Sequence, residues 1–207
     1  ENVVINTVTS NIFEKNDKKI GYIYIGIFSN TAYKQFKEQL KMLENKNIDS
    51  LIIDVRDNTG GHLTTASKIL SLFINSDKVI YQMEKQGKIT KYYSTGKKNV
   101  EYPIAILQNS NSASASELLS IALKEQKNAT IVGEKSYGKG TVQELITLQD
   151  GTEYKMTTKK WLSPKGNWIN EKGIEPDIKL ELDENYYKNP SYDTDNQLQG
   201  AINYLIK

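Results

Sequence analysis

Residues 20–55 open with Ile20-Gly21-Tyr22-Ile23-Tyr24-Ile25-Gly26-Ile27 and close with Leu51-Ile52-Ile53-Asp54-Val55. Between them, from Thr31 to about Asn45, Ala32, Phe36, Leu40 and Leu43 recur at helical spacing among lysines and glutamates. Strand, helix, strand is therefore the reading, and Leu63 to Ile74 adds a second helical pattern through Ala66, Ile69, Leu70 and Phe73. This alternation predicts parallel strands covered by helices. Further along, Ile104 to Leu107 and Thr130-Ile131-Val132 read as strands, with a third helix, Glu117 to Lys127, between them. Val79 to Glu84 and Lys88 to Tyr93 flank Lys85-Gln86-Gly87 as a hairpin, and Thr141 to Leu148 and Glu153 to Leu162 flank the turn Gln149-Asp150-Gly151-Thr152. Ser163-Pro164-Lys165-Gly166-Asn167 is a turn by composition. The opening to Lys19 is polar and Asn-rich, the stretch Leu182 to Asp195 is polar, and Asn196 to Ile206 predicts a closing helix. With no repeat and no linker, 1–207 reads as one α/β domain with β-hairpin additions.

Composition narrows the function classes. The chain has 207 residues, 38% hydrophobic and 25% charged, which suits a globular core. No apolar run approaches the ~18 residues of a membrane-spanning helix. Lys+Arg 27 against Asp+Glu 25 gives +2, with the basic residues scattered among acidic ones, so nucleic acid is not an expected partner. There is no cysteine and one histidine, His62, which removes thiolate nucleophiles, disulfides and the usual zinc ligand sets, and no metal or cofactor is expected. Arg56 is the single arginine, set between Asp54 and Asp57 as a buried ion-pair partner for its loop.

Three segments combine a reactive residue type with backbone that glycine or a helix end supplies. They are Asn58-Thr59-Gly60-Gly61-His62, Ser112-Ala113-Ser114-Ala115-Ser116-Glu117 and Tyr137-Gly138-Lys139-Gly140. Ser114 falls at a helix start, where free N–H groups could hold an oxyanion while the hydroxyl attacks a carbonyl. Equally, Ser114-x-x-Glu117 fits a capping box, whose serine merely caps. Lys139, between two glycines, is either a surface turn residue or a general base, since burial among apolar neighbours can make a neutral amine available. Strand alternation beyond it would put Lys139, Thr141 and Gln143 on one side, so Gln143 could orient the amine. Gly60-Gly61 is either a plain turn or an amide donor, and His62 reads as a surface residue, a base for Ser114 only where the Gly-Gly loop folds back onto it.

Together, Asp54-Val55-Arg56-Asp57-Asn58-Thr59-Gly60-Gly61, Ser112 to Glu117 and Gly133-Glu134-Lys135-Ser136-Tyr137-Gly138-Lys139-Gly140-Thr141-Val142-Gln143 resemble, in order and spacing, the C-terminal processing peptidases, or tail-specific proteases. The resemblance runs from about Ile20 to Leu180 and includes Gly173-Ile174-Glu175-Pro176-Asp177. It implies a ClpP/crotonase-like core of parallel strands and packed helices, with Ser114 as nucleophile, Lys139 as general base and Gln143 orienting the lysine. The Ala115 amide and one at Gly60 or Gly61 would form the oxyanion hole, and Glu125 matches an acidic position of secondary importance. It also implies protein or peptide substrates with accessible C-termini and an extracytoplasmic location. Thr59 stands where the family often has Pro, and Asn128 where many members have Arg. Members usually carry a PDZ domain upstream, so residues 1–19 are read as the remnant of a connection to it and 182–207 as a C-terminal tail and helix. Two other classes compete: a non-catalytic binding module on the same fold, and a crotonase-like acyl-CoA enzyme. The serine discriminates, because neither needs Ser114, Lys139 and Gln143 together.

Overall fold

The computed structural model describes residues 5–97 and 100–207, so the first four residues of the polar opening lie outside the described part. Ten strands and five helices follow in chain order among these residues. They are β1 (Val8–Lys15), β2 (Lys18–Ile25), α1 (Ala32–Asn45), β3 (Ser50–Asp54), α2 (Leu63–Leu70), β4 (Val79–Lys85), β5 (Lys88–Tyr93), β6 (Ile104–Gln108), α3 (Ala115–Lys127), β7 (Thr130–Gly133), β8 (Thr141–Thr147), β9 (Glu153–Leu162), β10 (Ile178–Lys179), α4 (Glu184–Lys188) and α5 (Asn196–Leu205).

The main sheet has the order β1-β2-β3-β6-β7-β10, with β2, β3, β6, β7 and β10 parallel and β1 antiparallel at the edge. Every residue of β3, β6 and β7 is buried, because helices cover both faces of this sheet. On one face Ile23, Ile25, Leu51, Ile53, Ile104, Ile106 and Ile131 pack with α1, α2 and α3. On the other, Tyr22, Ile52, Ala105, Leu107 and Val132 pack against Leu198, Ala201 and Ile202 of α5. The split follows the period of two along each strand.

The second sheet, β5-β4-β9-β8, is antiparallel and joins the first core through Ile80, Tyr81 and the fully buried Trp161. β5 and most of β8 are exposed.

The polar opening departs from its sequence reading. Within the polar opening, Val8–Lys15 forms an eight-residue strand paired residue by residue with β2, its hydrogen bonds supplied by that apolar neighbour.

Candidate active site

The three segments singled out in the sequence leave the carboxyl ends of β3, β6 and β7, which are adjacent in the sheet. Open parallel sheets place ligand sites at that edge. Segments far apart in the sequence therefore meet, and hydrogen bonds join them. Ser112 Oγ donates to the Val55 carbonyl at 2.8 Å and the Ala113 N–H to the Asn58 carbonyl at 3.1 Å. The Tyr137 N–H donates to the Ser112 carbonyl at 3.0 Å.

Ser114 is the N-cap of α3 with φ +56° and ψ −113°, a backbone state that L-residues rarely adopt and that costs about 1–3 kcal/mol. A helix built on Ser112-Ala113-Ser114 with relaxed geometry would not hold the serine this way; the strain turns Ser114 out of the helix at its first turn. The side chain is half-buried rather than enclosed. The Gly60 backbone lies against it: a Cβ built on Gly60 would stand 2.9 Å from Ser114 Cβ and 3.2 Å from the Ala115 nitrogen. Gly60 has φ +110° and Gly61 φ +132°, so both glycines occupy backbone that other residues avoid.

Glu117 carries more than its capping-box position suggested. It is fully buried, and its carboxylate accepts from the Ser114 N–H at 2.8 Å, Ser136 Oγ at 2.6 Å, the Gly138 N–H at 2.6 Å and the Lys139 N–H at 2.9 Å. Four donors replace the water a buried carboxylate loses. One side chain thus ties the serine turn to the lysine turn. The sequence signal was present in Ser114-x-x-Glu117, but its partners at 136–139 depend on the fold.

Lys139 is held by its backbone on both sides, its N–H on Glu117 and its carbonyl accepting from the Trp161 indole N–H at 2.8 Å. Its side chain is half-buried and makes no ion pair among the described residues. Gly138, at φ +91°, lets the loop pass the 171–173 backbone: a Cβ there would come 2.7 Å from the Gly173 nitrogen. Ser114 and Lys139 thus stand on turns that share one carboxylate. Gln143 is exposed, and its side chain makes no hydrogen bond among the described residues. His62 is exposed at the N-cap of α2.

An open cleft of about 570 Å³ lies over these turns, lined by Thr59, Asn111, Ala113, Tyr137, Lys139 and Thr141 among others. Tyr137 is 66% exposed on its rim. Among the described residues no group of His, Asp and Glu gathers in a way that could hold a metal ion. Glu125 faces elsewhere, accepting from Ser163 Oγ at 2.9 Å and the Lys165 N–H at 2.7 Å, where it holds the turn after β9.

Below the loop, Arg56 bridges Asp54 at 2.6 Å and Asp195 at 2.7 Å, and also donates to Gln197 Oε1 at 3.0 Å. The buried ion-pair role read from the sequence is what the side chain performs, with Asp195 as the partner that the sequence did not indicate. Tyr22 donates to Asp54 at 2.8 Å, and its burial, with the Asp54 charge beside it, pushes the hydroxyl well above the usual tyrosine range. It stays a donor at any working pH.

Known proteins resemble this chain in sequence and in fold. The profile of Peptidase family S41 matches residues 19–180. Carboxy-terminal processing protease CtpB of Bacillus subtilis (strain 168) is 39% identical over 189 residues, covering 91% of this chain and 39% of that protein. The carboxyl-terminal-processing protease of Picosynechococcus sp. (strain ATCC 27264 / PCC 7002 / PR-6) is 33% identical over 207 residues, covering 100% of this chain and 50% of its own length. The chain thus spans half or less of these relatives. Among solved structures, the photosystem II D1 C-terminal processing protease superposes with a TM-score of 0.81 at 25% identity, covering 100% of this chain and 54% of that one. Mature CPAF, at 16% identity and a TM-score of 0.69, shares the fold over 97% of this chain and 53% of its own. A family profile over most of the parallel sheet, and relatives of this identity across nearly the whole chain, establish that the chain belongs to Peptidase family S41.

Proposed function

We propose that this chain is the peptidase core of a C-terminal processing protease, hydrolysing peptide bonds near the C-termini of protein substrates through a Ser114-Lys139 dyad. The observation that carries the reading is the shared Glu117 carboxylate, which binds the Ser114 N–H at 2.8 Å and the Lys139 N–H at 2.9 Å. A serine on a strained turn at a helix start and a lysine without a carboxylate partner, fixed to the same anchor beside an open cleft, suit nucleophilic catalysis.

In the proposed mechanism the Lys139 amine takes the Ser114 proton as Oγ attacks the scissile carbonyl. Backbone amides at the glycine pair and at Ala115 receive the oxyanion, and Lys139 passes the proton to the leaving amine. Water then attacks the acyl-enzyme by the same route in reverse. Gln143 is assigned the orienting role for the amine. The extracytoplasmic location and an upstream PDZ domain in the full-length protein rest on the family resemblance alone.

The test is labelling with a fluorophosphonate and digestion of fluorescein-labelled casein, both followed by mass spectrometry. A single adduct on Ser114 and casein fragments are expected. Ser114→Ala should lose both while folding normally, since a lost cap costs only about 0.5–2 kcal/mol. Lys139→Arg should be as inactive as Lys139→Ala, because a guanidinium stays protonated. Near-normal turnover in Lys139→Arg, or an adduct elsewhere, overturns the dyad.

A further inference from the structure

We infer that Asn58 is a positioning residue that divides the two glycine amides between structure and chemistry, spending the Gly60 N–H and leaving that of Gly61 as the partner of Ala115 at the oxyanion. The inference rests on the Ser114 peptidase reading. Asn58 is fully buried and every polar group it owns beyond its own N–H points at a different piece of the site. Its Oδ1 accepts from the Gly60 N–H at 2.8 Å, and its Nδ2 donates to the Ile25 carbonyl at the end of β2 at 2.7 Å. Its own carbonyl accepts from Ser116 Oγ at 2.7 Å and from the Ala113 N–H at 3.1 Å, two residues after and one before the nucleophile respectively.

The Gly60 N–H is therefore occupied, and the Gly60 carbonyl accepts from the Phe28 N–H at 2.9 Å. The next amide along is different. The Gly61 N–H has no hydrogen-bond partner among the described residues, and Gly61 is exposed. It belongs to the peptide that leaves Gly60, and a Cβ on Gly60 would reach 2.9 Å from Ser114 Cβ. The Ala115 N–H, at the first position of α3, has no helical partner either. Two unoccupied donors on turns that meet at Ser114 are what a tetrahedral oxyanion requires.

Only a carboxamide at position 58 does this. Aspartate cannot donate to the Ile25 carbonyl, and alanine leaves that carbonyl and the Gly60 N–H buried without partners. Freed from Asn58, the glycine peptides can rotate and the Gly61 N–H loses its aim, while the outer walls of the cleft stay as they are. The loss should fall on the transition state rather than on substrate binding.

The experiment compares wild type, Asn58→Ala, Ser116→Ala and His62→Ala by kcat and KM on labelled casein and by the affinity of a peptide boronate, whose adduct with Ser114 mimics the tetrahedral state. Circular dichroism and melting report folding. For Asn58→Ala we expect kcat to fall by about 10²–10³, as on losing an oxyanion donor, with KM within about threefold and boronate affinity falling in parallel with kcat/KM. Ser116→Ala removes only the hydroxyl that holds the Asn58 carbonyl and should lose about fivefold in kcat and boronate affinity together. His62→Ala should match wild type. A folded Asn58→Ala with kcat within about threefold of wild type, or with its loss confined to KM, overturns the inference. Should Asn58→Ala fail to fold, unchanged kcat and boronate affinity in Ser116→Ala overturn it instead. Absence of any boronate adduct on wild-type Ser114 removes the peptidase reading and this inference with it, whereas a wild-type adduct beside an unaffected Asn58→Ala removes the inference alone.

Discussion

Single atoms decide whether the serine turn can exist. Gly60 at φ +110° has room for a hydrogen and nothing larger, since a Cβ would meet the Ala113 carbonyl oxygen and Ser114 Cβ, each at 2.9 Å. Gly60→Ala therefore adds a methyl group directly against the proposed nucleophile, on backbone that alanine itself disfavours. The protein can relieve the contact by moving either the glycine loop or the Ser114 turn, and each movement misaligns hydroxyl and amides. We predict at least a hundredfold loss of casein turnover, the usual cost of a displacement of about 1 Å at a reacting group. The same variant should lose fluorophosphonate labelling of Ser114. Labelling at the wild-type rate would mean that the two loops are not in contact in the working protein. By contrast Gly87, also at positive φ, has nothing within 4 Å of a built Cβ, so Gly87→Ala should alter hairpin stability and leave activity alone.

Among the elements, those that bury their own apolar face were legible and those that borrow their structure were not. The strands β3, β6 and β7 announce themselves as apolar runs because the sheet is covered on both sides. β1 does not, because its residues are mostly half-buried or exposed and its pairing with β2 supplies what its composition lacks. α4, a five-residue turn of helix with no buried residue, depends on Asp183 accepting from the Asn185 and Tyr186 N–H groups. A local feature of the β8–β9 hairpin was not legible either. Val142 pairs with Lys159 but Gln143 pairs with Thr157, so a bulge shifts the register between β8 and β9 at that point. Glu144 braces this bulge, accepting from Lys159 Nζ at 2.6 Å and Thr158 Oγ1 at 2.8 Å, and those two bonds, the lysine's first, hold its carboxyl below the ordinary value of 4.5. A carboxyl depressed in the folded state stabilises the hairpin above its unfolded pKa and loses that contribution as pH falls through the folded one. Amide exchange in β8 and β9 should therefore lose protection, relative to the parallel sheet, as pH falls below the ordinary glutamate range, and Glu144→Gln should lack the step because it carries no titrating group there. Equal pH dependence in the variant would assign the step to another carboxylate.

At the scale of the whole molecule, the reactive edge and the closing helix lie on one electrostatic strut. Arg56 opens the loop that carries Asn58, Gly60 and Gly61, and its guanidinium reaches Asp54 at the end of β3 and Asp195, the N-cap of α5. The family profile stops at residue 180, yet α5 buries Leu198, Ala201 and Ile202 against the face of the sheet opposite α1–α3. Helix and loop are therefore coupled through an ion triad whose side chains are almost removed from water, at 11% exposure for Arg56, 3% for Asp54 and 4% for Asp195. Removing one member of such a set leaves the others charged and unsolvated, at about 3–5 kcal/mol. Arg56→Met keeps much of the side-chain volume and should lose that amount in chemical denaturation, with a melting temperature lower by roughly 6–20 °C for a chain of this size. Asp195→Asn should lose less, because the Asp54 pair survives and an amide oxygen can still accept from the guanidinium. The decisive comparison is exchange within α5: Arg56→Met should speed it and lower fluorophosphonate labelling of Ser114 together, since one side chain holds both. Undocking of α5 with labelling unchanged would separate tail from site and leave Arg56 a stability residue only.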